Sequence, residues 1–287
     1  MLSEYNENFN ERRNTMKYVC DLCGWEYDEE KGDPELRKLC AVFNTMIGKL
    51  QEVENSRREF VANVSHELRS PITSIRGFAE GMADGVIPPE EHPRYLRLVA
   101  DESQRLSILV GDLLELSRLE RADAELQHET FDINEMLRRA VIRRMNDLDE
   151  KQLEVDCRFA EDPCNVKADS ARIEEVVINL LDNAIKFSGP QGKIILETAV
   201  RKGRTEVTIW DSGTSVPEED RGKIFDRFFT SDRAHTSGKG TGLGLSICQR
   251  IMDMHGQTIR LLSDEETKAY GEAEGGGAAF RFTLAGS

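Results

Sequence analysis

Phe60-Val61-Ala62-Asn63-Val64-Ser65-His66-Glu67-Leu68-Arg69-Ser70-Pro71-Ile72-Thr73-Ser74-Ile75 is the stretch whose reading decides the fold. Phe60, Val61, Val64 and Leu68 recur at steps of three and four, which makes them one helical face. His66 falls off that stripe, towards solvent, with Glu67 directly after it and Pro71 closing the segment. An exposed imidazole beside a carboxylate has the parts of a nucleophile oriented by an acid. Taken alone, the same pair also reads as a solvated helix histidine with an incidental acid. The rest of the chain has to decide between them.

Upstream, Leu36, Leu39, Phe43, Met46, Leu50 and Val53 step 3, 4, 3, 4, 3, the a and d positions of a coiled coil. Arg57 breaks this seam once before Phe60, Val64 and Leu68 continue it. Downstream, Gly85-Val86-Ile87-Pro88-Pro89-Glu90-Glu91 reads as a turn. A second helix is expected over about 90–121, with a stripe of Leu96, Val99, Ser103, Leu106, Val110 and Leu113 that Leu109 and Leu116 widen. The first helix is expected over about 36–84, bending near Pro71. Two such helices cannot bury wide stripes on each other alone, so the pattern predicts a homodimer with a four-helix bundle and one His66 outside each half.

The totals limit the rest. Of 287 residues 39% are hydrophobic and 32% charged, enough for about two domains with a buried core. Asp and Glu number 53 against 38 Lys and Arg, a net charge of −15, which argues against a nucleic-acid partner. No apolar run reaches the ~18 residues of a membrane span, and the N-terminus lacks the apolar core of a secretory signal. The six cysteines at 20, 23, 40, 157, 164 and 248 are scattered, so a reducing, cytoplasmic compartment is expected rather than a disulfide framework. Residues 1–15 read as a polar tail.

Past the polar linker Arg121–Thr130, the pattern turns α/β. Phe131-Asp132-Ile133-Asn134 opens a helix that Asp132 or Asn134 can cap. A strand Leu153–Phe159, a helix Ser170–Phe187, strands Lys193–Val200 and Glu206–Trp210, a helix running to Gly256 and two closing strands follow.

Four runs in this half carry chemistry. Asn179-Leu180-Leu181-Asp182-Asn183-Ala184-Ile185-Lys186-Phe187 places Asn179, Asn183 and Lys186 on one helical face. Asn amide oxygens suit Mg²⁺ without adding charge, and Lys186 suits phosphate. Asp211-Ser212-Gly213-Thr214-Ser215-Val216-Pro217 sets a carboxylate where it can accept an amine while the Gly backbone comes close to a ring. Phe225-Asp226-Arg227-Phe228-Phe229 is an aromatic loop fit to pack a lid, and its Arg227 can pair with a terminal phosphate. Gly238-Lys239-Gly240-Thr241-Gly242-Leu243-Gly244-Leu245-Ser246 opens a helix with backbone N–H groups free for an anion.

In this order the four runs resemble the N, G1, F and G2 boxes of the histidine-kinase catalytic domain, in the ATPase superfamily shared with gyrase. Ser65-His66-Glu67-Leu68-Arg69-Ser70-Pro71 resembles the matching H-box. The resemblance covers roughly Leu36 to the C-terminus. It implies a multi-domain chain: a helical hairpin that dimerises into a four-helix-bundle phosphoacceptor domain, joined to an α/β sandwich that binds Mg·ATP. It implies His66 as phosphoacceptor with Glu67 as its base and Ser70 beside them. It implies Asn183 as the main Mg²⁺ ligand next to Asn179, Lys186 and Arg227 on phosphates, and Asp211 on the adenine amine. Gly240, Gly242 and Gly244 would be the lid hinge, with Phe187, Gly213, Thr241 and Leu243 completing the ATP site. The partner implied is a separate response regulator receiver domain.

Three positions depart from the pattern. Ser215 stands where a second Gly is expected, Ser70 where Thr is common, and Glu175 where Gln is common. Ser70 keeps the hydroxyl but loses the methyl that fixes its rotamer, which favours kinase over phosphatase activity. The stretch Leu36–Leu50 resembles the second helix of a HAMP signalling linker, and also reads as a plain dimerising helix.

Met16–Glu35 resembles the first half of rubredoxin, with Cys20-Asp21-Leu22-Cys23-Gly24 as its knuckle and no second knuckle to complete it. It reads either as a metal-free remnant or as half of an iron or zinc site, with Cys20 and Cys23 from two chains making four thiolates. The expected division is therefore a tail over 1–15, the knuckle over 16–35, a HAMP-like helix over 36–58, the dimerisation and phosphotransfer hairpin over 59–122 and the ATP-binding domain over 123–287. Two other readings stay open: a nucleotide-binding scaffold without catalysis, and a metal or redox module with the kinase as its output.

Overall fold

The computed structural model describes residues 17–19, 26–28, 34–121, 125–230, 240–271 and 276–286, with side chains from residue 41 onward except at Glu52, Val53 and Ser56. The tail 1–15, Cys20, Cys23 and positions 231–239 lie outside the described residues. The chain divides into two compact units, 1–65 and 66–287.

In the first unit, β1 (Lys17–Val19) and β2 (Glu26–Asp28) pair antiparallel, with Val19 opposite Glu26. Helix α1 (Pro34–Ala83) begins after them and continues into the second unit, with Pro71 inside it. At the heptad positions, Phe43, Met46 and Leu50 are exposed in the single chain.

In the second unit, α1 ends at Ala83, and a 3-10 turn over Pro89–Glu91 leads into α2 (His92–Leu119). The second helix starts two residues later than its apolar pattern suggests, because Pro93 fits only its first turn. The ring of Phe78 meets Tyr95 edge-on at 5.3 Å, holding the hairpin near its turn. On α2, Leu109, Leu116 and Leu119 are buried, while Leu96, Val110 and Leu114 stay exposed. The buried set is the face α2 turns to the α/β half, where it packs on α6 (Gly244–Met254). Of the predicted seam, Leu96, Ser103 and Val110 are exposed and Val99, Leu106 and Leu113 are half-buried, while Leu109 and Leu116, read as widening it, are buried.

The α/β half carries a five-stranded sheet in the order β4-β6-β7-β9-β8. Its strands are β4 (Glu154–Phe159), β6 (Lys193–Arg201), β7 (Arg204–Thr214), β8 (Ile259–Leu261) and β9 (Gly276–Ala285). β4 and β6 pair in parallel and the remaining pairs are antiparallel. Helices α3 (Ile133–Arg143) and α5 (Ser170–Phe187) pack on each other, and α5 packs on α6 and β7. Asp132 caps α3 through the Asn134 N–H, and Asp169 caps α5 through the Arg172 N–H. Ile173, Val176, Val177, Leu180, Leu181 and Ala184 form the buried stripe of α5, as its spacing predicts. The row Ile195, Trp210 and Ala279 faces the other way and is covered by Leu262 and Tyr270. A short α4 (Met145–Glu150) and a single turn α7 (Asp264–Thr267) lie at the edges of this half.

Two sequence expectations need correction. The segment read as a polar linker contains β3 (His128–Asp132), which pairs antiparallel with a further strand, β5 (Asn165–Asp169), whose alternation is only five residues long and which the sequence reading does not include. His128, Glu129 and Thr130 are exposed, so β3 has no alternating apolar signature. Strand β7 also continues through Asp211 to Thr214 instead of ending at Trp210, with a register shift between Asp211 and Thr214.

Candidate active site

Alternation along β7 puts Val207, Ile209 and Asp211 on one sheet face, towards α5. Asp211 is only 4% exposed, and the Gly213 N–H donates to its Oδ1 at 3.0 Å. Burial pushes its carboxyl from 3.8 up to about 7, and the Gly213 hydrogen bond only partly opposes this. The site therefore holds a buried acceptor facing the end of α5 that is costly to ionise without a donor. Because the folded-state value lies above the unfolded one, the folded chain binds the extra proton between them. The stability it gives is lost as pH rises from about 4 to about 7. Asp211→Asn is expected to raise the Tm of the nucleotide-free protein by several degrees at pH 8 and by clearly less at pH 5, followed by thermal denaturation. An equal shift at both pH values would contradict this.

Gly213 is required beside it. A Cβ there would stand 2.3 Å from Phe187 O and 2.7 Å from Asp211 Oδ1, so strand β7 and the end of α5 meet through bare backbone. The same end of α5 is capped by Lys151, whose Nζ donates to the carbonyls of Ile185 (2.5 Å), Lys186 (3.0 Å) and Ser188 (3.0 Å). The polar face of α5 meets the loop that opens α6. Asn179 Oδ1 lies 3.0 Å from where a Gly244 Cβ would be, and Lys186 Nζ lies 2.7 Å from where a Gly240 Cβ would be. Asn183 is half-buried between them on the same helix. The pKa of Lys186 is lowered, first by burial and then by the charge of Arg105, and its Nζ sits 4.7 Å from the Phe187 ring centre.

The aromatic loop joins this assembly through backbone. Phe228 has φ 63° and its N–H donates to Gly242 O at 2.9 Å. Gly242, at φ 70°, would bring a Cβ within 2.7 Å of Phe228 C, so only glycine fits. Phe225 meets Phe280 edge-on at 6.3 Å, anchoring the loop to the sheet. Leu243 is buried, and Thr241 Oγ1 accepts from its N–H at 3.3 Å just ahead of α6.

His66 sits on α1 with its side chain 80% exposed. Its Nδ1 is 3.8 Å from Glu67 Oε1, beyond hydrogen-bond range, so the expected direct bond is not made in this arrangement. Arg105 of α2 explains this, because its Nη2 donates to Glu67 Oε2 at 3.3 Å and draws the carboxylate towards the other helix. Ser70 is exposed one turn on.

Sequence reasoning missed the contacts that α2 makes with the α/β half. Thr241 Oγ1 donates to Asp112 Oδ2 at 2.6 Å, and Arg227 pairs with Glu120. Arg172 pairs with Glu115 and, at 3.2 Å, with Glu175, and burial raises the Glu175 carboxyl first, with Glu115 adding to it. Arg250 Nε donates to Leu119 O at 3.0 Å, closing the end of α2. The only sequence signal was a run of acids among leucines, Asp112 to Glu120, which reads equally as a solvated face. The departure Ser215 lies against Gly276, its Cβ 3.1 Å from where a side chain there would start.

The chain matches three family models. Residues 168–286 match the histidine kinase-, DNA gyrase B- and HSP90-like ATPase, 56–122 match the His Kinase A (phospho-acceptor) domain, and 17–37 match rubredoxin. Sensor protein SrrB of Staphylococcus aureus is 34% identical over 217 residues, 74% of this chain and 36% of that protein. The chain thus spans about a third of the length of the curated relatives it matches. Among solved structures, Acinetobacter baumannii histidine kinase AdeS superposes with a TM-score of 0.61 at 28% identity, over 77% of this chain and 98% of that one. Histidine kinase ThkA, in a complex with response regulator protein TrrA, gives a TM-score of 0.67 at 28% identity, over 95% of this chain and 74% of that one. Among the described residues, no helix is long and apolar enough to cross a membrane. A helical hairpin bearing His66, joined to a mixed sheet with buried Asp211 and a helix whose Asn179 and Lys186 meet the glycine loop of α6, together with the matching family models and relatives, places this chain in the sensor histidine kinase family.

Proposed function

We propose that the chain transfers the γ-phosphoryl group of Mg·ATP to His66 and then passes it to an aspartate of a separate response regulator. One observation carries this reading: a buried acceptor at Asp211 lies beside the end of α5, the helix whose Asn179 and Lys186 meet the glycine loop of α6, while the histidine stands exposed in the same chain. The complex that histidine kinase ThkA forms with response regulator protein TrrA supports the choice of partner.

In this reading Asp211 accepts the exocyclic amine of adenine, and Gly213 lets the ring lie against backbone. Lys186 and Arg227 neutralise phosphate oxygens. The amide oxygens of Asn183 and Asn179 fit a hard divalent cation, and Mg²⁺ would spread the charge of the transferring group. Glu67 exchanges Arg105 for the Nδ1–H of His66, which leaves Nε2 unprotonated to attack phosphorus. The ADP oxygen leaves as the N–P bond forms, and the receiver carboxylate later takes the phosphoryl group from His66.

Two copies pair along the exposed apolar positions of α1 and α2, giving the four-helix bundle. The phosphotransfer hairpin occupies 59–122 and the ATP-binding domain 123–287. Asn183→Ala is expected to abolish the Mg²⁺-dependent part of nucleotide binding in a calorimetric titration. Unchanged Mg²⁺ dependence would remove Asn183 from that role.

The N-terminal segment supports a second element of the reading. β1 and β2 form a hairpin joined by residues 20–25, which carry Cys20 and Cys23, and this segment lies within the rubredoxin match. Two thiolates are half of a tetrathiolate set, so one iron or zinc per two chains is proposed, held by both copies at the head of the paired helices. Metal analysis of the purified dimer should give one ion per two chains, lost in Cys20→Ser. Metal-free protein, or a metal content unchanged by that substitution, would reject the shared site.

A further inference from the structure

The three acids at the C-terminal end of α2, Asp112, Glu115 and the capping Glu120, do different things. Glu115 pairs with Arg172, away from the glycine loop. Asp112 and Glu120 instead take two groups assigned to the ATP site: Asp112 accepts from Thr241 Oγ1 at 2.6 Å, and Glu120 pairs with Arg227. A carboxylate and a phosphate compete for the same donors, since both offer paired anionic oxygens to a guanidinium or hydroxyl. The two acids flank buried Leu116 and Leu119, and Arg250 holds the Leu119 carbonyl, so they are presented by a packed helix end. Burial raises the carboxyl of Asp112, outweighing its hydrogen bond to Thr241. The Glu120–Arg227 pair is 40% exposed on both sides, which makes it weak enough to exchange.

We propose that Asp112 and Glu120 are internal competitors of the triphosphate: they occupy Thr241 and Arg227 while α2 lies on the α/β half, and a bound triphosphate displaces them and frees α2. This rests on the reading of Arg227 and Thr241 as ATP-site groups. Since Arg227 is assigned to the terminal phosphate, competition by Glu120 weakens triphosphate binding more than diphosphate binding.

The test is calorimetric titration of the full chain with the non-hydrolysable triphosphate AMPPNP and with ADP, in Mg²⁺. Glu120→Ala and the isosteric Glu120→Gln should bind AMPPNP about two- to five-fold more tightly, the range of an exposed ion pair, with ADP affinity unchanged. Adding Asp112→Ala should increase the gain. Glu115→Ala, which loosens α2 at Arg172 without freeing a phosphate-side group, should keep the parental ratio. A parental AMPPNP-to-ADP ratio in both Glu120 variants, or an equal rise in Glu115→Ala, overturns the proposal. AMPPNP affinity unaffected by Arg227→Ala overturns instead the underlying assignment of Arg227, whatever the Glu120 variants do.

Discussion

His66→Gln is expected to abolish acid-labile label from γ-labelled ATP, a fall on the order of a thousand-fold or more, as for loss of a catalytic nucleophile. Its side chain is 80% exposed, so the change should leave stability within about 0.5 kcal/mol. Nucleotide binding should also persist, because the groups proposed to hold adenine and phosphate lie on β7, α5 and the loops beside them rather than on α1. The measurement is incubation with labelled ATP and Mg²⁺, then acid and alkali treatment, with AMPPNP titration as the control for folding. Persistent acid-labile label in the variant would refute His66 as the acceptor. Absence of label in the parent, with nucleotide still bound, would favour a nucleotide-binding scaffold.

Gly213→Ala should weaken nucleotide binding by at least about ten-fold, which corresponds to about 1.4 kcal/mol. The added methyl would lie 2.3 Å from Phe187 O and 2.7 Å from Asp211 Oδ1. Neither can yield alone: Phe187 O is backbone at the end of α5, and Asp211 is buried. Relief requires β7 and α5 to separate, and forcing a methyl into such a contact typically costs about 1–3 kcal/mol. The separation would carry Asp211 away from Asn179 and Lys186, so binding should suffer more than folding. Titration with AMPPNP beside thermal denaturation separates the two losses. Parental affinity would show that the contact has room to relax.

The two positions differ in how far the sequence reveals them. His66 is legible only in company: the helical stripe beneath it points to exposure, and the runs downstream that resemble an ATP site give the histidine a reason to be there. Gly213 is legible as a turn-like glycine near an acid, yet its need comes from Phe187 O, which is 26 residues earlier in the chain. Local periodicity carries α1, α2 and α5 well, because their apolar stripes are long. It fails at β3, whose exposed residues follow no alternation, at β5, whose alternation spans only five residues, and at Asp211, which stays in β7 because β9 continues to pair with it.

By itself the sequence determined the helical hairpin, the α/β half and the residue types that make up the site, since helical period and box spacing are properties of the local chain. Which partner each charged group takes was decided only by the tertiary structure. Glu67 turns to Arg105, Thr241 to Asp112 and Arg227 to Glu120, because α2 packs against α1 and the α/β half together. Those pairs join residues 38, 129 and 107 positions apart, distances over which no periodicity extends and only packing sets proximity.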